Sequence, residues 1–120
     1  MADVFSQTLD SLLADCPGIL GVAFTDFDGE EIALKPAARK EQMRTFAVYG
    51  GIALRRLADA ERKAGRGQLG AVVVKGREGS LVSMKVADAY QLVMSIAPTT
   101  PPARAIDYAR GAVRTIEDNI

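Results

Sequence analysis

Residues 65–70, Gly-Arg-Gly-Gln-Leu-Gly, spell GxGxxG, the spacing with which a glycine-rich turn lets a pyrophosphate approach a helix N-terminus. That chemistry needs a strand before the glycines and a helix after them. Here a helical pattern runs into Gly65 and a strand pattern leaves Gly70, so the glycines read as a helix C-cap and turn. Asp26, Asp28, Glu30 and Glu31 gather carboxylates around Gly29, like a fragment of a calcium loop. Aligning Gly29 with the loop glycine puts Phe24 at the first ligand position and Lys35 at the last, both wrong for calcium. An Asp-Gly hairpin turn with solvated acids is the simpler reading. Cys16 is the single cysteine, and no histidine exists to activate it. A Ser-His-Asp triad and a Cys/His zinc site are excluded on the same ground. The expectation is a protein without catalytic residues, metal or cofactor.

Composition narrows the partners. Acidic and basic residues balance at 15 each, so nothing in the bulk charge favours nucleic acid or an anionic membrane. The chain of 120 residues suffices for one domain, taken as residues 1–120, with a real core. One cysteine fits a reducing, cytoplasmic compartment. The first 16 residues lack the basic start and apolar block of a signal peptide, and no stretch is long enough for a membrane span.

The elements follow from periodicity. Phe5, Leu9, Leu12, Leu13 and Cys16 recur at helical spacing over residues 3–15, and Pro17-Gly18 stops that helix. Residues 19–26 form a strand buried on both faces, with Leu20, Val22 and Phe24 on one and Ile19, Gly21 and Ala23 on the other. The return strand, residues 30–35, should turn Ile32 and Leu34 inward and Glu31, Ala33 and Lys35 outward. Residues 38–64 read as a long helix with a stripe of Met43, Phe46, Ala47, Gly50, Ala53, Leu54 and Leu57. Residues 69–97 read as a three-stranded meander with turns at 76–79 and 87–89. Thr100 and Pro101 open a last helix as N-cap and first helical residue, with a stripe of Ile106, Ala109, Val113, Ile116 and Ile120. The fold class is therefore α+β: a five-stranded antiparallel sheet with three helices, in the order α-β-β-α-β-β-β-α. If the first and last helices cover one sheet face, the long helix covers the other alone.

Two features point outward from this domain. The first meander strand, residues 69–74, carries no charge and has Ala71, Val72, Val73 and Val74 in succession, an edge that invites another chain. The charged side of the long helix carries an apolar island, Val48 and Ile52 with Tyr49 on its flank. Gly50-Gly51 lowers helical stability by roughly 1 kcal/mol per glycine, which a close backbone approach would explain. These residues form the expected interface of a homodimer. Arg44, Arg55, Arg56 and Arg62 on the same helix are candidates for contacting an acidic partner, or form a solvated face with local acids.

The residues Pro17-Gly18-Ile19-Leu20-Gly21-Val22 leading into Asp26–Glu30, then Gly79-Ser80-Leu81 through Val86 and Asp88-Ala89-Tyr90-Gln91-Leu92, together with the order of elements, resemble the roadblock family. This is the dynein light-chain roadblock group with its bacterial and archaeal relatives. The resemblance implies a homodimer in which the long helices pack together and the first meander strands join into one sheet. It also implies a binding platform or regulator for a Ras-like small GTPase, contributing no catalytic residue of its own. The alternative is a profilin-like or PAS-like small-molecule sensor, with its ligand between sheet and helix.

Overall fold

The computed structural model describes residues 3–120. In chain order the elements are α1 (Val4–Asp15), β1 (Ile19–Asp26), β2 (Glu31–Lys35), α2 (Lys40–Lys63), β3 (Ala71–Gly76), β4 (Gly79–Val86), β5 (Tyr90–Ile96) and α3 (Pro102–Glu117), with one 3-10 turn, Ala37–Arg39, leading into α2. The five strands are all antiparallel, in the order β2-β1-β5-β4-β3. The two edges are therefore β2 and β3.

Period-two alternation assigns the faces. Val22, Phe24, Val82, Met84, Val86, Leu92, Met94 and Ile96 meet Leu9, Leu12 and Cys16 of the α1 segment and Ala105, Ala109 and Ile116 of α3 in one core. Phe24 lies between Phe5 and Tyr90, with ring centroids 5.2 and 5.5 Å away. Asp3 caps α1 by accepting from the Ser6 amide at 2.8 Å. The opposite face carries a smaller core of Ala23, Val93, Met43 and Ala47 under α2, flanked by Leu34, Phe46 and Leu81. Helices α1 and α3 thus cover one face and α2 the other, as the sequence leads one to expect.

Four local expectations are corrected. Ile19 lies with Val22 and Phe24 rather than with Ala23, because the β1–β5 register shifts between Ile19 and Gly21. In β2, Ala33 is buried and Ile32 is 41% exposed, the reverse of simple alternation. A bulge is the cause: Phe24 pairs with Ala33 but Thr25 pairs with Glu31, so Ile32 is an extra residue. Strand β3 begins at Ala71 and runs to Gly76, two residues later than its charge pattern suggests. Helix α3 begins at Pro102 with Pro101 as its cap residue; Thr100 instead fills the space above Gly18, where a Cβ would overlap it.

One glycine in α3 has no such reason to be there. A Cβ on Gly111 meets nothing within 4 Å. Gly111→Ala should therefore stabilise the domain by about 0.5–1 kcal/mol through helix propensity and reduced unfolded-state entropy. A thermal melt rising by a few degrees is the expected reading, about 2–5 °C.

Candidate functional site

Helix α2 is amphipathic with a narrow buried stripe: Met43, Ala47, Gly50, Gly51 and Leu54. Leu57, expected on that stripe, is 47% exposed. At seven residues from Gly50 and nine from Val48, it lies at the edge of the buried stripe, on the flank of the helix away from Val48. Val48, Tyr49 and Ile52 are exposed as the sequence suggests, with Tyr49 the most open at 66%. Val48 is braced from one side by the β1–β2 turn, where Gly29 packs so closely that a Cβ would stand 2.8 Å from Val48 Cγ2.

Strand β3 lies beside this helix face with one edge unpaired within the chain. Gly76 and Gly79 close its turn to β4, and the Lys85 amide donates to the Gly70 carbonyl at 3.0 Å. With that register, Val72, Val74 and Gly76 direct their N–H and C=O groups to β4. Those of Ala71, Val73 and Lys75 point away from the sheet. The side chains alternate too. Val72 and Val74 lie opposite Ser83 and Leu81 on the α2 side, and Val74 is 54% exposed. Ala71 and Val73 lie opposite Met84 and Val82, on the α1/α3 side. Phe46 and Val74 face one another across an open hollow that also involves Gln42, Leu81 and Ser95. The Phe46 flank of α2 therefore adjoins the α2 side of β3.

The paired glycines have a different role from the one expected. Gly51 faces the chain's own β1–β2 turn, where a Cβ would overlap the Phe27 carbonyl oxygen. Gly50 faces Gln91, Ser83 and Val93, each 3.4 Å from its would-be Cβ. The close backbone approach exists, but within the chain, and the glycines say nothing about the outer face of α2.

Three of the four candidate arginines are engaged locally. Arg44 pairs with Glu31 at 3.1 Å and Glu41 at 3.6 Å, and Arg55 with Asp28 at 3.3 Å. Arg62 pairs with Asp59, whose carboxyl is held below its ordinary range first by Lys63 and then by Arg62. Among the described residues Arg56 has no ion-pair partner, so it is the one arginine of the set with an uncommitted charge. The Asp26 carboxylate accepts from the Asp28 and Glu30 amides, both at 2.9 Å, which is the work of a turn rather than of a metal loop. Gly65, at φ +69°, ends α2 as a left-handed C-cap, with the Arg66 amide donating to the Glu61 carbonyl at 3.0 Å.

Sequence reading missed Gln91. It is fully buried on the middle strand, where alternation placed it only on a milder face. Its Nε2 donates to the Ala47 carbonyl at 2.7 Å and reaches Thr25 Oγ1 at 3.1 Å and the Asp26 carbonyl at 3.2 Å. Its Oε1 accepts from Ser83 Oγ at 2.8 Å. Between sheet and helix, the space a sensor would keep for a ligand is filled here by Met43, Ala47, Val93 and this amide. The detectable signal was the cross-strand alignment of Thr25 and Gln91, with Ser83 beside them, beneath a helix carrying two glycines.

No protein-family model matches the chain, and no curated protein matches it in sequence. Solved structures do match in shape. The Roadblock/LC7 domain from Streptomyces avermitilis superposes with a TM-score of 0.86 at 13% identity, covering 98% of each chain. Myxococcus xanthus MglB superposes with a TM-score of 0.82 at 15% identity, covering 95% of this chain and 92% of its own. Acanthamoeba castellanii profilin IA is less similar, with a TM-score of 0.59 at 16% identity over 96% of this chain and 98% of its own.

Proposed function

Because this chain has the roadblock fold, we propose that it is a homodimeric adaptor or regulator of a Ras-like small GTPase, acting in the cytoplasm without catalytic residues of its own. The observation that carries the reading is the shared openness of two neighbouring elements. The outer face of α2 and the edge of β3 are apolar and uncovered on the same side of the molecule. A second copy related by a two-fold axis covers both at once: β3 pairs with β3 through Ala71, Val73 and Lys75, and Val48, Tyr49 and Ile52 meet their own copies. The dimer then offers the GTPase one broad platform, with Arg44, Arg55 and Arg62 held by local acids and Arg56, on the stripe of Tyr49 and Ile52, bordering the seam between the copies.

Light scattering at micromolar concentration should give twice the chain mass; a clean monomer refutes the assembly. Binding to a small GTPase from the same source should differ by about tenfold or more between the GDP state and a GTP-analogue state, since a regulator must distinguish the two. Equal affinity would instead favour a passive scaffold. Arg56→Ala, compared at concentrations where light scattering finds it still dimeric, should weaken binding without altering the hydrolysis rate at saturation, which separates a docking charge from a catalytic one.

A further inference from the structure

Gln91 lies beneath the proposed assembly face without belonging to it. Apolar contacts hold a helix against a sheet but resist sliding poorly, because one methyl neighbour is much like the next. A hydrogen bond is directional, and a buried one is costly to leave unmade. The Gln91 amide donates to the carbonyl of Ala47, in the middle of α2, and among the described residues no other side-chain hydrogen bond joins the sheet's centre to that helix. The same amide holds the end of β1 through Thr25 and Asp26, and Ser83 orients its other end from β4. Immediately above, Gly50 and Gly51 let α2 descend until Gly51 meets the Phe27 carbonyl. Gly29 of the same turn presses on Val48. Every one of these contacts sets the height or the axial position of α2.

We propose that Gln91 is a positioning residue for self-assembly: it sets the register of α2 over the sheet and thereby places Val48, Tyr49 and Ile52 in plane with the β3 edge. This rests on the homodimer reading above. A dimer joined through a helix and a strand at once requires the two to keep a fixed offset. A shifted α2 would satisfy one half of the contact and lose the other.

The test compares Gln91→Met with Leu12→Ala. Methionine keeps the length and removes all the hydrogen bonds. Leu12 is buried in the core of the α1/α3 face, away from α2, and its truncation lowers stability without touching α2. At a temperature where both variants are folded, Gln91→Met should raise the dimer dissociation constant about tenfold or more, and Leu12→Ala by about twofold at most. Hydrogen exchange should quicken across residues 44–57 in Gln91→Met only. Ser83→Ala is the milder variant should Gln91→Met not fold; freeing one end of the amide should weaken the dimer about threefold. Equal dissociation constants for Gln91→Met and Leu12→Ala overturn the proposal. If the wild-type chain is itself monomeric, the assembly reading fails alone, and the exchange experiment still decides on Gln91: uniform quickening over the whole chain refutes a positioning role.

Discussion

Gly51→Ala should destabilise the domain by roughly 3 kcal/mol or more and lower its melting temperature by about 10 °C or more, although the same exchange in an open helix stabilises. Two effects of opposite sign compete. Helix propensity favours alanine by roughly 1 kcal/mol. Against it stands a Cβ overlapping the carbonyl oxygen of Phe27 and lying 3.0 Å from Gln91 Nε2. A flexible side chain would turn aside, but a backbone carbonyl moves only with its turn. That turn is held by the Asp26 carboxylate, by Gln91 and by the Arg55–Asp28 pair. Relief therefore means lifting α2 and stretching the bond from Gln91 to Ala47. The neighbouring Gly50→Ala meets only ordinary contacts at 3.4 Å, and should change stability by about 1 kcal/mol or less. The two melts, side by side, give the decision: equal midpoints for adjacent glycines would refute the close approach of the turn.

The second large effect concerns assembly. Val74→Lys should raise the dimer dissociation constant by about 100-fold or more, close to 3 kcal/mol. Val74 is half-exposed on the α2 side of β3, so a lysine there is solvated in the isolated chain and costs its fold little. In a two-fold dimer the substitution appears twice, placing two like charges in one seam at the cost of their hydration; Glu78 lines the same hollow and offsets part of that cost. Ile32→Lys is the matched control: a comparably exposed apolar residue on the opposite sheet edge, away from the seam. Sedimentation should find Val74→Lys monomeric at concentrations where Ile32→Lys remains paired. If both remain dimers, the partner lies elsewhere on the surface.

The legible part of the fold was the part written in local periodicity. The apolar stripe of α1, the alternation of Tyr90, Leu92, Met94 and Ile96, and the turn residues at Gly29 and Gly65 each depend on a few neighbours in sequence, and each is where it was expected. The bulge at Ile32 was not legible, because an extra residue in one strand is defined only by counting against its partner. Ile19 escaped for the same reason. The glycine pair was legible as a close approach, but its partner was not: nothing near Gly51 in sequence points to Phe27, more than twenty residues earlier. Gln91 was hidden most effectively. A glutamine between apolar neighbours reads as tolerable on a mild face, and only the meeting of three strands and a helix turns it into a buried four-way contact. For the candidate surface, the outer face of α2 and the edge of β3 were readable as apolar residues with no partner in the chain, whereas the exposure of Leu57 was not, because the buried stripe ends at Leu54.

Polymer chemistry offers a way to see what the bulge at Ile32 accomplishes. A building block with two reactive ends propagates, whereas one with a single reactive end can only couple in pairs. Each edge of this sheet is such an end. Strand β3 is smooth and uncharged from Ala71 to Val74. Strand β2 is five residues long, interrupted at Ile32, bounded by Glu31 and Lys35 that are tied to Arg44 and Asp10, and followed at once by Pro36. On the dimer reading proposed above, the domain would have a functionality of one and the irregular strand would be its chain stopper: strand pairing that began at β3 would end with two copies instead of growing into a fibre.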